Sequence, residues 1–313
     1  MKKVLLASTV LAMTATVAAA DVTTSGSGRM GVTYTEGADN ELAFTSRIRI
    51  AFAASGETDS GLSFGGSIRA DNAPGGDAGT AGSVFISGAF GTLSMGDVAG
   101  AAESVVGDLH AVGLTDLGDH HENVYISNAR RSAARYDYST GGFTFSLSSD
   151  NPGSDGADVT YSLLGGVIEP IGATESTMAV GVKYAVDAYS FALGYESSKI
   201  EGESVDHLIL GAEATFSGVT VKAVYGKADG LGPFDFEQYG VSASYTMDAL
   251  TVSGYHRQEK ISDGSGSEKF KATGIGASYD LGGGASLMGG IVNRKVSGAP
   301  GQNLADFGVN FSF

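Results

Sequence analysis

Apolar and polar residues alternate along most of the chain with a period of two, the spacing of a β-strand that has one apolar face. The C-terminus shows this most clearly, because one face of its last strand carries Ala305, Phe307, Val309, Phe311 and Phe313. Similar alternation begins near positions 22, 45, 62, 177, 189, 219 and 239. Strands of a soluble parallel sheet would be apolar throughout. The pattern therefore predicts antiparallel strands with one apolar and one polar face.

Two kinds of connection separate these strands. Short turns define seven hairpins, at 56–61, 88–91, 140–142, 187–188, 217–218, 248–249 and 282–284. One further strand precedes the hairpins and one follows them, so the sequence predicts 16 strands. Longer polar segments link the hairpins at 36–40, 72–81, 97–128, 151–175, 200–204, 230–233, 262–267 and 297–301.

This arrangement predicts an all-β fold, a 16-stranded antiparallel transmembrane β-barrel with short turns on one side and long loops on the other. Sixteen strands leave a water-filled lumen rather than a packed interior. Within the predicted loop at 151–175, residues 159–164 are compatible with either an extra strand or a folded loop.

The N-terminus has the pattern of an export signal. Lys2 and Lys3 precede an uncharged apolar run over 4–17, and residues 18–20 match an A-x-A cleavage pattern. The run is shorter than the ~20 residues of a membrane-spanning helix. We therefore predict a signal peptide at 1–20 and a barrel domain at 21–313, exported to the outer membrane of a Gram-negative bacterium. Loss of the two lysines would change the formal net charge from −16 to −18.

Composition argues against several other classes of protein. The chain has no Cys, which excludes disulfides and thiolate metal sites, and its negative charge disfavours nucleic-acid binding. The five histidines lie near no G-x-S-x-G or H-E-x-x-H motif, so we expect no enzymatic activity. The glycines at 282–284 lack the Lys-Ser/Thr of a phosphate-binding loop and fit a hairpin turn instead.

Charge is distributed unevenly along the chain. The loop at 97–128 contains no Lys or Arg, and its carboxylates are Asp97, Glu103, Asp108, Asp116, Asp119 and Glu122. Arginines instead occupy predicted polar strand faces, at Arg29, Arg47, Arg49, Arg69, Arg131 and Arg135. A loop folded into the lumen would oppose these charges across a narrow aperture, which would order water and hinder apolar solutes. The charges alone are equally compatible with an acidic surface loop.

Several stretches resemble the trimeric general-diffusion porins of purple photosynthetic bacteria, namely 29–32, 46–49, 60–65, 84–91, 95–97, 107–109 and 274–286. The resemblance is dense over 22–118 and 270–313 and weak between about 150 and 260. It implies a homotrimer whose long third loop folds into the lumen, which would give the 97–128 loop that role. No cofactor is required, but the family implies that calcium can bind third-loop carboxylates, here Asp97, Glu103 and Asp108. His120, His121 and Glu122 depart from the family pattern, and the residues leave open a metal site or a solvated loop tip.

The sequence thus predicts a porin, a passive outer-membrane channel for ions and small hydrophilic solutes. A substrate-selective channel and a closed-barrel adhesin or structural anchor are the alternatives. The acidic loop favours a weak cation preference, which the lumen arginines oppose. Expected partners include outer-membrane lipid, lipopolysaccharide and the barrel-assembly machinery, but no nucleic acid. That machinery reads a terminal aromatic residue in similar barrels, so the predicted assembly signal is Phe307, Phe311 and Phe313.

The stretch 82–97 predicts a low part of the barrel wall, because its strands are short and rich in small residues. A low wall cannot cross an apolar layer of ~25 Å. We therefore expect other subunits to cover it, with contacts from Phe85, Phe90 and the terminal strand.

Overall fold

A computed structural model of the chain describes residues 21–72, 82–126, 133–150, 174–200, 203–231 and 234–313. The predicted signal peptide, Arg131 and the segment 159–164 lie outside the described residues. Within the described ranges, no helix has the length and apolar character needed to cross a membrane.

Sixteen antiparallel strands form a closed barrel, as predicted. They are β1 (Asp21–Thr35), β2 (Leu42–Glu57), β3 (Ser63–Asn72), β4 (Ser83–Gly88), β5 (Gly91–Gly96), β6 (Ala133–Thr140), β7 (Phe143–Ser149), β8 (Thr174–Val186), β9 (Tyr189–Ile200), β10 (Glu203–Phe216), β11 (Val219–Leu231), β12 (Phe234–Met247), β13 (Leu250–Asp263), β14 (Gly266–Gly282), β15 (Ala285–Val296) and β16 (Gln302–Ser312). A short helix, α1 (Ala101–Val106), lies between β5 and β6. The barrel closes where β1 pairs with β16, with Met30 opposite Val309.

Alternation sorts the side chains onto two faces of the wall. On β9, Phe191, Leu193 and Tyr195 point outward and are exposed, whereas Glu196 and Ser198 point inward and are buried. Exposed aromatic side chains lie both beside the short turns, at Tyr184, Tyr189, Phe216, Tyr245 and Tyr279, and nearer the long loops, at Tyr195, Tyr225 and Tyr239. Two aromatic girdles around an apolar band are typical of a barrel surface that faces lipid.

The seven predicted short turns are all present between the strands that flank them. Asp187, Ser217 and Asp248 begin three of them with φ near +50°, as tight hairpin turns require. Three of the predicted loops are shorter than expected, because the strands extend further than the polar residues suggested. The clearest correction is at 262–267, where β13 ends at Asp263 and β14 begins at Gly266.

The low part of the wall consists of β4 and β5, which have six residues each. Their outward residues include the exposed side chains of Val84, Ile86 and Met95. The expected contact of Phe85 with another subunit is wrong, because Phe85 alternates with outward-facing Val84 and Ile86, and its ring covers inward-facing Gly65. Phe90 is exposed in the turn between the two strands.

Candidate functional site

Residues 97–126, here called the inner segment, pack against the inward face of the barrel. Helix α1 contacts β7, β8, β9 and β10, and the chain then continues along the wall to β1. Four apolar residues of α1 are buried, Ala101, Ala102, Val105 and Val106. Although the inner segment is acidic, the apolar residues along one of its edges attach it to the barrel wall.

Glycines in the wall make room for this edge. A β-carbon on Gly194 would lie 2.6 Å from the Ala102 Cβ, and one on Gly308 would lie 2.7 Å from the Leu114 Cδ2. Both distances are too short for a real contact. We call a set of inward glycines the glycine track, because a β-carbon on each would lie 2.5–3.0 Å from an atom of the inner segment: Gly181, Gly194, Gly211, Gly240, Gly276, Gly290 and Gly308.

The returning arm of the inner segment is fastened to the wall by Gln238 on β12. Its Oε1 accepts from the Val124 N–H at 2.8 Å, and its Nε2 donates to the Val124 carbonyl oxygen at 2.7 Å. These two bonds fix the orientation of the amide. The same Nε2 lies 3.2 Å from the His207 Nε2, which therefore accepts, leaving Nδ1 to donate to Glu196 at 2.7 Å. Glu196 also accepts from the Ile126 N–H at 3.0 Å.

The tip of the inner segment is fastened by Asp306 on β16. Its carboxylate accepts from the Leu114 N–H at 2.9 Å, and from the Thr115 N–H and hydroxyl at 2.6 and 2.8 Å. Four residues in the left-handed region follow, over 116–119. Backbone strain of this kind persists only where surrounding contacts hold it, and the Asp306 bonds supply such contacts.

The two arms of the inner segment are also bonded to each other. The Asp108 carboxylate accepts from the Asn123 N–H at 2.7 Å, and the Gly107 carbonyl accepts from Asn123 Nδ2 and the Tyr125 hydroxyl, both at 2.9 Å. Asp108 therefore holds the segment together in addition to carrying charge.

Five of the six predicted acidic residues lie near one another. Glu122 is in electrostatic range of Asp119, Asp108, Glu103 and Asp116. Partial desolvation of its carboxylate and these neighbours raise the pKa of Glu122 to about 7. Burial, with Asp108 and Glu196 nearby, raises the pKa of Glu103 to about 7 as well. Asp97 stands apart at the start of the segment, with an exposed side chain.

The predicted arginines form two groups. Arg29, Arg47, Arg49 and Arg69 face inward on β1, β2 and β3, with Arg29 directly opposite Arg47. Arg135 lies on β6, where it binds Asp137 at 2.8 Å and the Ala99 carbonyl at 2.9 Å.

The first arginine group meets the acidic tip. Arg29 donates to the Leu114 carbonyl at 3.3 Å. Burial and Asp119 raise the pKa of Asp116, and this rise is opposed by Arg29 and Arg47. Positive wall and negative tip are therefore close enough to interact.

The histidines correct one expectation, because His120 is not part of a solvated tip. Its ring is buried against Phe270, with centroids 5.3 Å apart, and its Nε2 lies 3.3 Å from Arg294 Nη1. Burial and the charges of Arg294 and Arg257 lower the pKa of His120 to about 4.

Metal binding finds no geometric support. In the described part of the chain, no three His, Asp or Glu side chains are grouped to hold a metal ion. Calcium at Asp97, Glu103 and Asp108 stays a prediction.

Sequence reasoning missed several residues of the site. Asp71 binds both Arg49 and Arg69, at 3.0 and 2.6 Å, so two of the four clustered arginines are paired with a carboxylate. Asp71 lies two residues after Arg69 on the same strand, so the two side chains share a face. That spacing could have revealed the pair. Gln238 and Asp306 gave no such signal, because a single polar residue on an inward face has no distinguishing pattern.

Comparison with known proteins supplies the family context. A family model described as Gram-negative porin matches residues 7–299. The chain is 37% identical to a porin of Rhodobacter capsulatus and 26% identical to a porin of Fuscovulum blasticum, in each case over 94% of this chain and 100% of the relative. A porin structure refined at 1.8 Å matches with a TM-score of 0.76 and 32% identity, covering 94% of this chain and 100% of that one. A loop-deletion variant of OmpT, an outer membrane protein of Vibrio cholerae, matches with a TM-score of 0.74 at 13% identity, which shows a shared fold alone.

Proposed function

The chain belongs to the Gram-negative porin family, and from this premise we propose that its outer-membrane channel is narrowed by the inner segment and the arginines that face it. The family and the closed barrel are those of a channel for passive diffusion of ions and small hydrophilic solutes. The inner segment supplies the acidic side of the constriction, and Arg29 and Arg47 supply the basic side.

One observation carries this proposal. The segment that packs on the inward wall holds four carboxylates within electrostatic range of a fifth, Glu122, and its tip lies beside Arg29. Arg29 and Arg47 form no ion pair with any described residue. Charges that remain unpaired beside a narrow aqueous passage act on passing ions, because the low-dielectric wall concentrates their field.

A planar-bilayer recording of the refolded protein tests the channel itself. We expect ohmic current steps in salt solution. A barrel that inserts without conducting would favour the structural anchor instead and would contradict the proposal.

Assembly as a homotrimer completes the proposed function. A strand of six residues rises about 20 Å even without tilt, which is too short for an apolar band of ~25 Å. The outward side chains of Val84, Ile86 and Met95 would therefore be better covered by protein than by lipid. We expect chemical cross-linking in mild detergent to give trimers, and a monomer as the sole product would refute this arrangement.

Export and insertion are proposed from the sequence. The segment 1–20 would be removed before Asp21, which N-terminal sequencing of protein from outer membranes can check. Phe307 and Phe311 lie on the outward face of β16 and Phe313 directly follows that strand, where the assembly machinery could read them. Lipopolysaccharide would surround the barrel on the loop side.

A further inference from the structure

The two basic residue types are segregated across the barrel wall. Among the described residues, all seven arginines lie at inward positions of their strands. Of the eight described lysines, Lys183 and Lys222 alternate inward, and the remaining six alternate outward: Lys199, Lys227, Lys260, Lys269, Lys271 and Lys295. All six outward lysines lie toward the loop end of their strands.

Four of the outward lysines form a cluster on adjacent strands, here called the lysine patch: Lys260, Lys269, Lys271 and Lys295. Lys260 lies directly opposite Lys269, and Lys271 lies directly opposite Lys295. Like charges in such cross-strand pairs repel and destabilise a sheet. The fold therefore gains nothing from this placement.

The patch is poorly neutralised by the protein. Lys260 reaches Glu237 at 3.7 Å, whereas Lys269, Lys271 and Lys295 form no ion pair within the described ranges. Lys227, elsewhere on the outward face, is bound to Asp229 at 2.8 Å. In a chain with a formal charge of −16, three neighbouring cations without an ion pair in the described ranges are available to an external anionic partner.

The position of the lysine patch along the barrel axis, relative to the apolar band, identifies that partner. Along β14, the outward face runs from Leu281 through Tyr279 and Ile275, all exposed and apolar, before it reaches Lys271. The ten residue steps from Leu281 to Lys271, at ~3.4 Å each and a strand tilt of ~40°, cover roughly 26 Å along the barrel axis. That is about the height of the apolar band, so Lys271 lies where hydrocarbon gives way to headgroups. Lysine suits this depth, because its stem lies along the apolar surface while the ammonium reaches the polar layer.

We propose that the lysine patch binds the phosphate groups of anionic lipids in the outer leaflet, beside the channel wall. The inference rests on the outer-membrane placement in the proposed function, and it adds a lipid site that conduction does not require. A lipid headgroup held at Lys271 and Lys295 would place its acyl chain against Ile275 and Ile291, which are exposed in the apolar band below.

The absence of Trp from the chain permits a direct test. A single probe, Ile275→Trp, is introduced and the full barrel is reconstituted in phosphatidylcholine vesicles containing phosphatidic acid. Bromine on the chains of one lipid or the other quenches the probe when that lipid is adjacent. We expect phosphatidic acid to be preferred at this probe by roughly threefold or more, since each surface lysine contributes ~1 kcal/mol, about a fivefold factor, to binding anionic lipid.

The variant Lys271→Gln/Lys295→Gln should abolish this preference while leaving single-channel conductance in place. The matched variant Lys199→Gln/Lys227→Gln removes the same charge elsewhere and should leave the preference intact. A second probe, Leu210→Trp, lies on the outward face of β10 below Asp206 and should show no preference. Conductance without lipid preference would overturn this inference alone, whereas loss of conductance in every variant would count against the proposed function.

Three results would overturn the inference. One is equal quenching by both lipids at Ile275→Trp, and another is a preference that survives Lys271→Gln/Lys295→Gln. The third is loss of the preference on adding millimolar inorganic phosphate but not chloride of equal ionic strength, which would make the patch a site for soluble anions.

Discussion

Gln238 should control the position of the constriction without contributing any charge to it. The substitution Gln238→Met keeps nearly the same shape and volume but removes the bonds to both backbone groups of Val124 and the bond to His207 Nε2. Of these, the two Val124 bonds hold the inner segment. Because glutamine and methionine are both neutral, a change in ion selectivity would have to come from movement of the inner segment.

The size of the effect follows from the bonds that are lost. Leaving a buried donor or acceptor without a partner costs ~1–3 kcal/mol, so two groups cost ~2–6 kcal/mol. Val124 is only half-buried, and water can replace part of the loss, so we take about 2 kcal/mol. That raises the population with a detached returning arm by about 30-fold. The strand ladders are unaffected, so the barrel should refold normally.

Single-channel recording measures the consequence. We expect Gln238→Met to increase open-channel current noise and to change the cation-to-anion permeability ratio. Gln258→Met is the matched control, because Gln258 lies on the outward face of β13. Wild-type noise and selectivity in Gln238→Met would refute the idea that this amide holds the constriction in place.

Three further predictions concern charge, pH and assembly. Glu103→Gln should lower the cation-to-anion permeability ratio measured in a salt gradient, while Asp39→Asn in the exposed loop between β1 and β2 should not, and an unchanged reversal potential would place Glu103 outside the ion path. The pKa values of Glu103 and Glu122 are raised to about 7, so both carboxylates lose negative charge as the pH falls from 8 to 6. The same ratio should therefore fall as the pH is lowered across this range, and Glu103→Gln/Glu122→Gln should flatten the dependence; an equal slope in that variant would assign it to other groups. Deletion of Phe313 removes its two backbone bonds with Gly26, at 2.6 and 2.9 Å, and one exposed ring, worth no more than ~1.5–3 kcal/mol. Cells should insert this variant poorly while purified chain still refolds in detergent, and normal surface levels would show that Phe313 is no assembly signal.

The barrel could be predicted from sequence because its signals are local and repeated. A strand that faces lipid on one side and water on the other must alternate, and tight turns need residues such as Gly or Asp that tolerate positive φ. Strand ends were less predictable, since polar residues continue along a strand once it has left the apolar band. This is why β13 and β14 extend into the segment 262–267 that was predicted to be a loop.

The path of the inner segment could not be predicted from its residues alone. Its attachment depends on partners far away in sequence, such as Asp306 for Thr115 and Gln238 for Val124. The glycine track was hidden for a different reason, because glycine is frequent everywhere in this chain, with 48 residues. The sequence alone does not distinguish a glycine that makes room for a crossing segment from a glycine in a turn.

Chemical modification of a single cysteine can measure whether the inner segment narrows a conducting lumen. The chain has no Cys, so Ala111→Cys places a single thiol at an exposed position of the inner segment. A bulky thiol reagent added during a bilayer recording should then lower the conductance in discrete steps. The same reagent should have no effect on Ser265→Cys, which lies in the exposed turn between β13 and β14. Unchanged conductance after complete modification of Ala111→Cys would show that the inner segment does not narrow the conducting path.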